Sequence, residues 1–260
     1  MNRINKLFAE KHKNILSIYF CAGHPSYQGT INTIKTLESK GVNLIEIGIP
    51  FSDPMADGVV IQDAANKALK NGMTLKKLFA QLGYAREQGV EIPLILMGYL
   101  NPIMQFGFES FCAECAKIGI DGVIIPDLPF KDYKESYEAV AKKYDIRVIM
   151  LITPETSQER IRLIDENTDG FIYMVSSAAT TGAQKDFDLK KQEYFKRIDA
   201  MNLKNPRMIG FGISNKQTFD AACQNAAGAI IGSKFVTLLE EAKGDVELAT
   251  DSLLKDLGVK

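Results

Sequence analysis

The segment LIEIGIPFSDPMADG (residues 44–58) places one carboxylate inside an apolar run and two more in the loop that follows. Glu46 stands among aliphatic residues that indicate a buried strand. Burial removes the hydration of a carboxyl group and raises its pKa above the ordinary value of about 4.3. Because a carboxyl that titrates near the working pH both donates and accepts protons, Glu46 is a candidate general acid/base. The alternative is a structural acid paired with Arg147 or Arg207, the cations of the predicted strands.

Other polar side chains stand where apolar runs end. Asp57 lies in ADG and Asp127 in IIPDLPF, while Tyr99 and Tyr173 close two further runs. Each also has an ordinary structural role open to it: a turn for Asp57, loop stabilisation for Asp127 and packing for the tyrosines. We therefore treat all four as candidates to line a ligand pocket.

Glycine-containing turns follow three of the predicted strands, as TGA (181–183), GFGIS (210–214) and GS (232–233). Glycine lets backbone N–H groups approach an anion closely, and a helix N-terminus adds partial positive charge. Ser233 begins a helical pattern of this kind. A single glycine serves a tight turn equally well, but the pair of turns after the last two strands favours a phosphate site.

The elements that position these residues alternate along the whole chain. Short β-branched runs, from NILSIYF (14–20) to GAIIGS (228–233), alternate with longer patterns of helical period. Eight such units in 260 residues predict an α/β protein with a closed (β/α)8 TIM barrel, formed by residues 1–260 as a single domain. Ile4, Leu7 and Phe8 recur at helical spacing, which predicts a short N-terminal helix docked on the barrel.

The composition limits the kinds of partner. A net charge of −1 without a basic cluster argues against nucleic acid or an anionic membrane. The sequence contains no run of about 18 apolar residues, the length that a membrane span needs, and the N-terminus lacks the apolar core of a signal peptide. We therefore expect a cytoplasmic protein. The CAEC motif (112–115) has no second cysteine pair and no histidine nearby, so we expect its cysteines to be reduced. His12 and His24 lack the spacing of metal ligands, and His24 suits a turn, so we expect no metal site.

The longest motif, LIEIGIPFSDPMADGVVIQ (44–62), resembles the signature of the tryptophan synthase alpha subunit family. The resemblance covers nearly the whole chain, in order through AGHP, PLILMGYLNPI, GVIIPDLP, LITPET, GFIYMVS, TTGA, IGFGIS and IIGS. It implies a (β/α)8 lyase that cleaves indole-3-glycerol phosphate into indole and glyceraldehyde 3-phosphate in tryptophan biosynthesis. It also implies no cofactor in this chain, and a beta subunit with pyridoxal phosphate as the partner in an α2β2 heterotetramer.

By this resemblance, Glu46 corresponds to the catalytic acid/base and Asp57 to the acid that accepts the indole N–H. The other residues implied to bind the substrate are Tyr19, Tyr99, Asp127, Tyr173, Thr181, Gly182, Gly212, Gly232 and Ser233. The residues implied to meet the beta subunit are Asp53, Asn101 and Pro102.

The loop after strand six departs from the family pattern. It reads SSAATTG where SRAGVTG is usual, so that Ser177 replaces an arginine and Ala179 a glycine. His24 stands where an aspartate is usual. The resemblance therefore does not determine whether this loop closes over the substrate or couples the chain to the beta subunit. Three alternative functions remain: a stand-alone lyase that releases indole, a ligand-binding subunit that only activates its partner, and another phosphosugar barrel enzyme such as an isomerase.

Overall fold

The computed structural model describes residues 1–176, 189–210 and 212–259. Eight parallel strands form a closed barrel in which each strand pairs with the next and the eighth pairs with the first. This confirms the (β/α)8 barrel predicted from the alternation of elements. The strands are β1 (Ile15–Cys21), β2 (Leu44–Gly48), β3 (Leu94–Met97), β4 (Gly122–Ile124), β5 (Arg147–Ile152), β6 (Ile172–Val175), β7 (Arg207–Gly210) and β8 (Gly228–Ile231).

Helices surround the barrel, and α1 is the predicted N-terminal helix. A π-helical turn, Tyr133–Tyr137, joins α7 to α8. The helices are α1 (Arg3–Glu10), α2 (Thr30–Ser39), α3 (Val59–Lys70), α4 (Leu75–Leu82), α5 (Leu100–Phe106), α6 (Phe108–Lys117), α7 (Phe130–Asp132), α8 (Glu138–Lys143), α9 (Gln158–Asn167), α10 (Leu189–Asp199), α11 (Lys216–Asn225), α12 (Ser233–Glu241) and α13 (Val246–Leu257).

The strands are covered on both faces, which explains why their sequences lack a simple alternation. One hydrophobic cluster lies between the strands and the surrounding helices, and a second fills the barrel interior. Helix α1 closes the N-terminal end of the barrel, where Ile4 and Phe8 are buried and the Phe8 ring lies 5.5 Å from that of Phe171. The opposite end, where the strands finish, is left for the loops that carry the candidate site.

The helices differ from the sequence patterns in three ways: one ends early, one predicted segment divides in two, and one helix was not predicted. Helix α4 ends at Leu82 although its pattern continues to Gly89, because Arg86 turns inward and donates hydrogen bonds to the carbonyls of three residues of two loops. The tail, predicted as one helical segment, divides into α12 and α13 at Gly244, whose φ of +86° is not helical. Helix α5 was not predicted at all; its Pro102 is compatible with the first turn of a helix.

Within the described ranges, no helix combines the length and the apolar character that a bilayer crossing requires. The same residues contain no group of three His, Cys, Asp or Glu side chains arranged to hold a metal ion. All four cysteines are buried free thiols, and Cys112 and Cys115 lie together in α6. Burial raises the pKa of Cys112 to about 12, so its thiol stays protonated and acts as a small apolar side chain.

Candidate active site

Glu46 lies in the middle of β2 and is fully buried. It shares a strand face with Leu44, which belongs to the interior cluster, so its carboxyl group points into the barrel. Ser17 of the adjacent strand β1 donates a hydrogen bond from Oγ to Glu46 Oε1 over 3.0 Å. The second oxygen, Oε2, is buried and has no hydrogen-bond partner among the described residues.

The environment of Glu46 favours its protonated form. Desolvation by burial raises the pKa of Glu46 to about 8, and the hydrogen bond from Ser17 offsets only part of that effect. Neither arginine that was considered as a structural partner is available: Arg147 pairs with Asp145 and Asp169, and Arg207 pairs with Asp199. Both arginines begin their strands, at the end of the barrel opposite the loops that carry the candidate site, so geometry excludes the structural ion pair with either of them.

Asp57 ends the turn-rich segment after β2, and its side chain is also buried. The Tyr99 hydroxyl donates to Asp57 Oδ2 over 2.9 Å and accepts the backbone N–H of Ala56 over 3.0 Å. The Tyr99 ring packs against Phe51 with 5.4 Å between centroids. Tyr99, which is the N-cap of α5, thus holds the segment containing Asp57 at the mouth of the barrel.

The two carboxyl groups differ in charge near neutral pH. Burial raises the pKa of Asp57 to about 6, a value below the pKa of about 8 for Glu46, and the hydrogen bond from the Tyr99 hydroxyl opposes the rise. At pH 7 Glu46 is therefore mainly protonated and Asp57 mainly ionised. Two acids whose environments separate their pKa values in this way are suited to different roles, one as proton donor and one as anion.

The raised pKa of Glu46 predicts how stability depends on pH. Between about pH 5 and pH 8 the folded state holds a proton on Glu46 that the unfolded state has released, so the free energy of unfolding falls as pH rises. We expect Glu46→Gln to remove this loss. Its free energy of unfolding, relative to that of the wild type, should increase by on the order of 3 kcal/mol between pH 5 and pH 8. Urea denaturation at several pH values measures the difference, with the exposed Glu241→Gln as the matched control; a difference that does not vary with pH would contradict the raised pKa.

Two further tyrosines complete the interior around the acids. Tyr19 of β1 and Tyr173 of β6 are buried, and this burial raises the pKa of each hydroxyl, with a further contribution from the charges of Glu46 and Asp57. Each tyrosine lies over a glycine of the neighbouring strand. A Cβ at Gly48 would stand 2.2 Å from the Tyr19 hydroxyl oxygen, and a Cβ at Gly210 would stand 2.1 Å from that of Tyr173. Only glycine at those two positions leaves room for the tyrosine side chains.

The predicted phosphate residues that the structure describes lie after β7 and β8. Gly212 has a φ of +80°, a conformation that favours glycine. Gly232 immediately precedes α12, and no described side chain caps that helix, so the N–H groups of its first turn, from Ser233 onward, are available to an anion. The Tyr19 ring also approaches Gly232, where a Cβ would lie 3.3 Å from Tyr19 Cδ1, so the candidate phosphate site adjoins the acid-containing interior. Thr181 and Gly182 fall outside the described residues, as do the substituted positions Ser177 and Ala179.

Asp127 has the loop-stabilising contact that its sequence position left open. Its Oδ1 accepts the backbone N–H of Leu100 over 2.8 Å, which joins the loop after β4 to the N-terminus of α5. This contact helps to position Tyr99, the residue before Leu100. A direct contact between Asp127 and a substrate stays a prediction.

Exposed apolar residues accompany the residues that were predicted to meet a partner. Asp53 and Asn101 are exposed and Pro102 is partly exposed. On the same segments Met55 is 79% exposed and Met104 is 54% exposed. Large exposed apolar side chains beside polar ones are typical of protein interfaces.

His24 has a structural role that the sequence pattern did not reveal. Its side chain is fully buried, with Nε2 2.7 Å from Oε1 of Glu240 in α12, and Lys67 of α3 binds the same carboxylate. Desolvation lowers the pKa of His24, although Glu240 opposes the effect. The contact ties the first loop to two helices and lies outside the acid-containing interior.

Sequence reasoning also missed Ser17, Phe51 and the two glycines beneath the tyrosines. Ser17 was overlooked because a small hydroxyl within an apolar strand carries no motif. The signal available was the parallel pairing of β1 with β2, which places Tyr19 opposite Glu46 and Cys21 opposite Gly48.

Comparison with known proteins places this geometry in one family. The family model described as tryptophan synthase alpha chain matches residues 5–258. The tryptophan synthase alpha chain of Phocaeicola vulgatus is 72% identical over 257 residues, which cover 99% of each chain. The crystal structure of tryptophan synthase subunit alpha from Legionella pneumophila str. Paris is 34% identical, with a TM-score of 0.88 over 99% of this chain and 97% of that one. A chain in the tryptophan synthase complex of Pyrococcus furiosus is 31% identical, with a TM-score of 0.86 over 95% of this chain and 98% of that one.

Proposed function

The chain belongs to the tryptophan synthase alpha chain family, and from this premise we propose that Glu46 and Asp57 divide the acid–base work of the family reaction. The resemblance identified from the sequence motifs is thereby confirmed. The chain is a carbon–carbon lyase of tryptophan biosynthesis that cleaves indole-3-glycerol phosphate into indole and glyceraldehyde 3-phosphate. The observation that carries the assignment of roles is the pair of buried carboxyl groups with separated pKa values.

The first step is protonation of the indole ring at C3, the carbon that bears the glycerol phosphate chain. Glu46 is protonated near neutral pH and is the proton donor of this step. Protonation at C3 places positive charge on the ring nitrogen. A donor held rigidly in a strand meets the ring carbon in one fixed geometry, which lowers the entropic cost of the transfer.

Asp57 stabilises the positive charge that develops on the ring. Its carboxylate accepts the indole N–H, and the Tyr99 hydroxyl orients it. Because the side chain is buried, the attraction between carboxylate and ring cation is stronger than it would be in water. Stabilisation of this kind acts mainly in the transition state and so raises kcat.

The second step breaks the carbon–carbon bond. Glu46, now ionised, accepts the proton of the hydroxyl group on the side-chain carbon attached to C3. The O–H electrons form the aldehyde carbonyl, and the electrons of the broken bond return to the ring and neutralise the nitrogen. Glu46 ends the cycle protonated, so one carboxyl group serves as acid and then as base with no net proton change.

The remaining pocket residues bind the two ends of the substrate. The backbone at Gly212, Gly232 and Ser233 receives the phosphate at the start of α12. By the family resemblance, Gly182 contributes to the phosphate site and Thr181 belongs to the loop that closes over the substrate. Tyr19, Tyr99 and Tyr173 line the interior that receives the indole ring, and Asp127 supports the loop at its mouth.

The partner is the tryptophan synthase beta subunit, in an α2β2 assembly. The alpha reaction uses no cofactor, and pyridoxal phosphate belongs to the beta subunit. Asp53, Asn101 and Pro102, with the exposed Met55 and Met104, form the surface that meets it. Burial of these methionines would supply apolar contact area that the free chain leaves in water.

Two further properties belong to the same proposal. Residues 1–260 act as one barrel domain. This is supported by the single sheet, which is closed by the pairing of β1 with β8. The protein works in the cytoplasm, which is supported by four buried thiols that are not paired in disulfides. Fractionation of the source cells tests the location, and recovery of the chain outside the cytoplasm would contradict it.

Indole release from indole-3-glycerol phosphate, measured with and without a cognate beta subunit, tests the function of the chain. We expect slow turnover by the chain alone and strong activation by the partner. Fast turnover alone, with no activation, would instead identify a stand-alone lyase. Absence of turnover in both cases, with the partner still activated, would identify a binding subunit, and the Ser177 and Ala179 substitutions would be the first to revert.

A further inference from the structure

Ser17 is the one described side chain that forms a hydrogen bond with Glu46. It lies in ILSIYFC, the apolar strand β1, and is fully buried. A buried hydroxyl group costs free energy unless it is hydrogen-bonded. The hydroxyl of Ser17 has its partner on the adjacent strand β2, in Oε1 of Glu46 at 3.0 Å.

The hydrogen bond makes the two oxygens of Glu46 inequivalent. Oε1 accepts from Ser17, whereas Oε2 is buried and unpartnered within the described part of the chain. A serine hydroxyl has a single proton to donate. Because the hydrogen bond from Ser17 occupies Oε1 and Oε2 has no described partner, Oε2 is the oxygen on which we place the carboxyl proton.

We propose that Ser17 is a positioning residue of the lyase reaction: its hydroxyl anchors Oε1 of Glu46 and leaves Oε2 as the atom that carries the transferred proton. The proposal rests on the acid–base role proposed for Glu46. It assigns to β1 a part in the chemistry that the family motifs do not contain, since the motif of that region begins only at AGHP.

The groups that face Glu46 strengthen the argument. They are Tyr19 from the same strand as Ser17 and Tyr173 from β6, and Asp57 acts on both of these tyrosines. All are neutral or negative, and no described cation pairs with Glu46. Ser17 is therefore the identified donor that favours the ionised carboxyl, and it lowers the pKa of Glu46 against the effect of burial.

Ser17→Ala tests the proposal, because it removes the hydroxyl group without adding volume. We expect kcat for indole release to fall about tenfold, the effect of losing one hydrogen bond of ordinary strength, with KM nearly unchanged. The limb of the kcat–pH profile that reports Glu46 should move to higher pH. Infrared difference spectra of the carboxyl stretching band should show the same upward movement in the titration of Glu46 without any turnover.

Two matched variants separate positioning from a general loss of stability. Ser17→Thr retains the hydroxyl group and should restore both the pH profile and most of kcat. Thr250→Val removes a buried hydroxyl group in α13, remote from the site, and should leave kcat and its pH profile unchanged. Thermal melting of every variant confirms that the proteins compared are folded.

Several outcomes would overturn the proposal. An unchanged infrared titration in Ser17→Ala would show that the hydroxyl group does not govern the protonation of Glu46. A higher kcat in Ser17→Ala would show that Ser17 holds Glu46 in a resting position. Turnover by Glu46→Gln would instead refute the acid–base role itself, and the infrared titration still decides whether Ser17 sets the protonation of Glu46.

Discussion

Glu46→Gln should reduce indole release from indole-3-glycerol phosphate by about 1,000-fold, the scale of effect that a positioned acid/base contributes. Glutamine retains an oxygen that accepts the Ser17 hydroxyl and has nearly the same volume, so the barrel around it stays packed. Its amide has no carboxyl proton to deliver to indole C3 and cannot accept the proton of the substrate hydroxyl. Single-turnover measurement of indole formation, with the beta subunit present, gives the rate of the chemical step.

The exposed Glu241→Gln, in the last turn of α12, is the matched control for this change and should leave the rate unaltered. Substrate binding by Glu46→Gln should also be retained, since the phosphate-binding backbone lies on other strands. Normal turnover by Glu46→Gln would refute the assigned chemistry. Loss of turnover together with loss of folding would be visible in the melting curve, and Glu46→Asp, which keeps an acid on a shorter side chain, would then distinguish chemistry from packing by its partial activity.

Asp57→Asn should lower kcat by about 100-fold to 1,000-fold, with a much smaller effect on KM. Asparagine retains an oxygen that accepts from Tyr99, so the segment after β2 keeps its place. It removes the negative charge that faces the ring nitrogen as C3 is protonated. Because that charge interacts most strongly with the cationic transition state, its loss affects the rate more than substrate binding.

The neighbouring exposed Asp63→Asn in α3 provides the control, since it removes a carboxylate of the same type outside the barrel. The wild-type kcat should fall at low pH as Asp57 is protonated, because burial raises its pKa to about 6. Asp57→Asn should lack that acid limb. A variant with a large increase in KM and an unchanged kcat would indicate that Asp57 only binds the substrate.

The sequence was sufficient to predict the architecture and to select Glu46 and Asp57 as the candidate acids. The alternation of β-branched runs and helical patterns has a short-range cause, since each element follows from its own residues and from burial on one or both faces. The pKa of Glu46 could be predicted to rise for the same reason: a carboxyl in a buried strand is desolvated wherever that strand packs. The end of α4 at Leu82 and the extra helix α5 were missed because contacts with distant loops decide them, through Arg86 and Asp127.

Other features depend on residues that only folding brings together. The positions of Arg147 and Arg207 in the barrel decide that neither pairs with Glu46. Both begin their strands, at the end of the barrel away from the candidate site, where each pairs with another acid. The hydrogen bond from Ser17 follows from the register of β1 against β2, which local composition does not reveal. The sequence by itself thus determined the barrel, the family and the candidate acids, because these follow from local patterns and ordered motifs. The tertiary structure alone decided that Asp57 is buried as well and how far the pKa values of the two acids separate, because a pKa depends on burial and on neighbours that are distant along the chain.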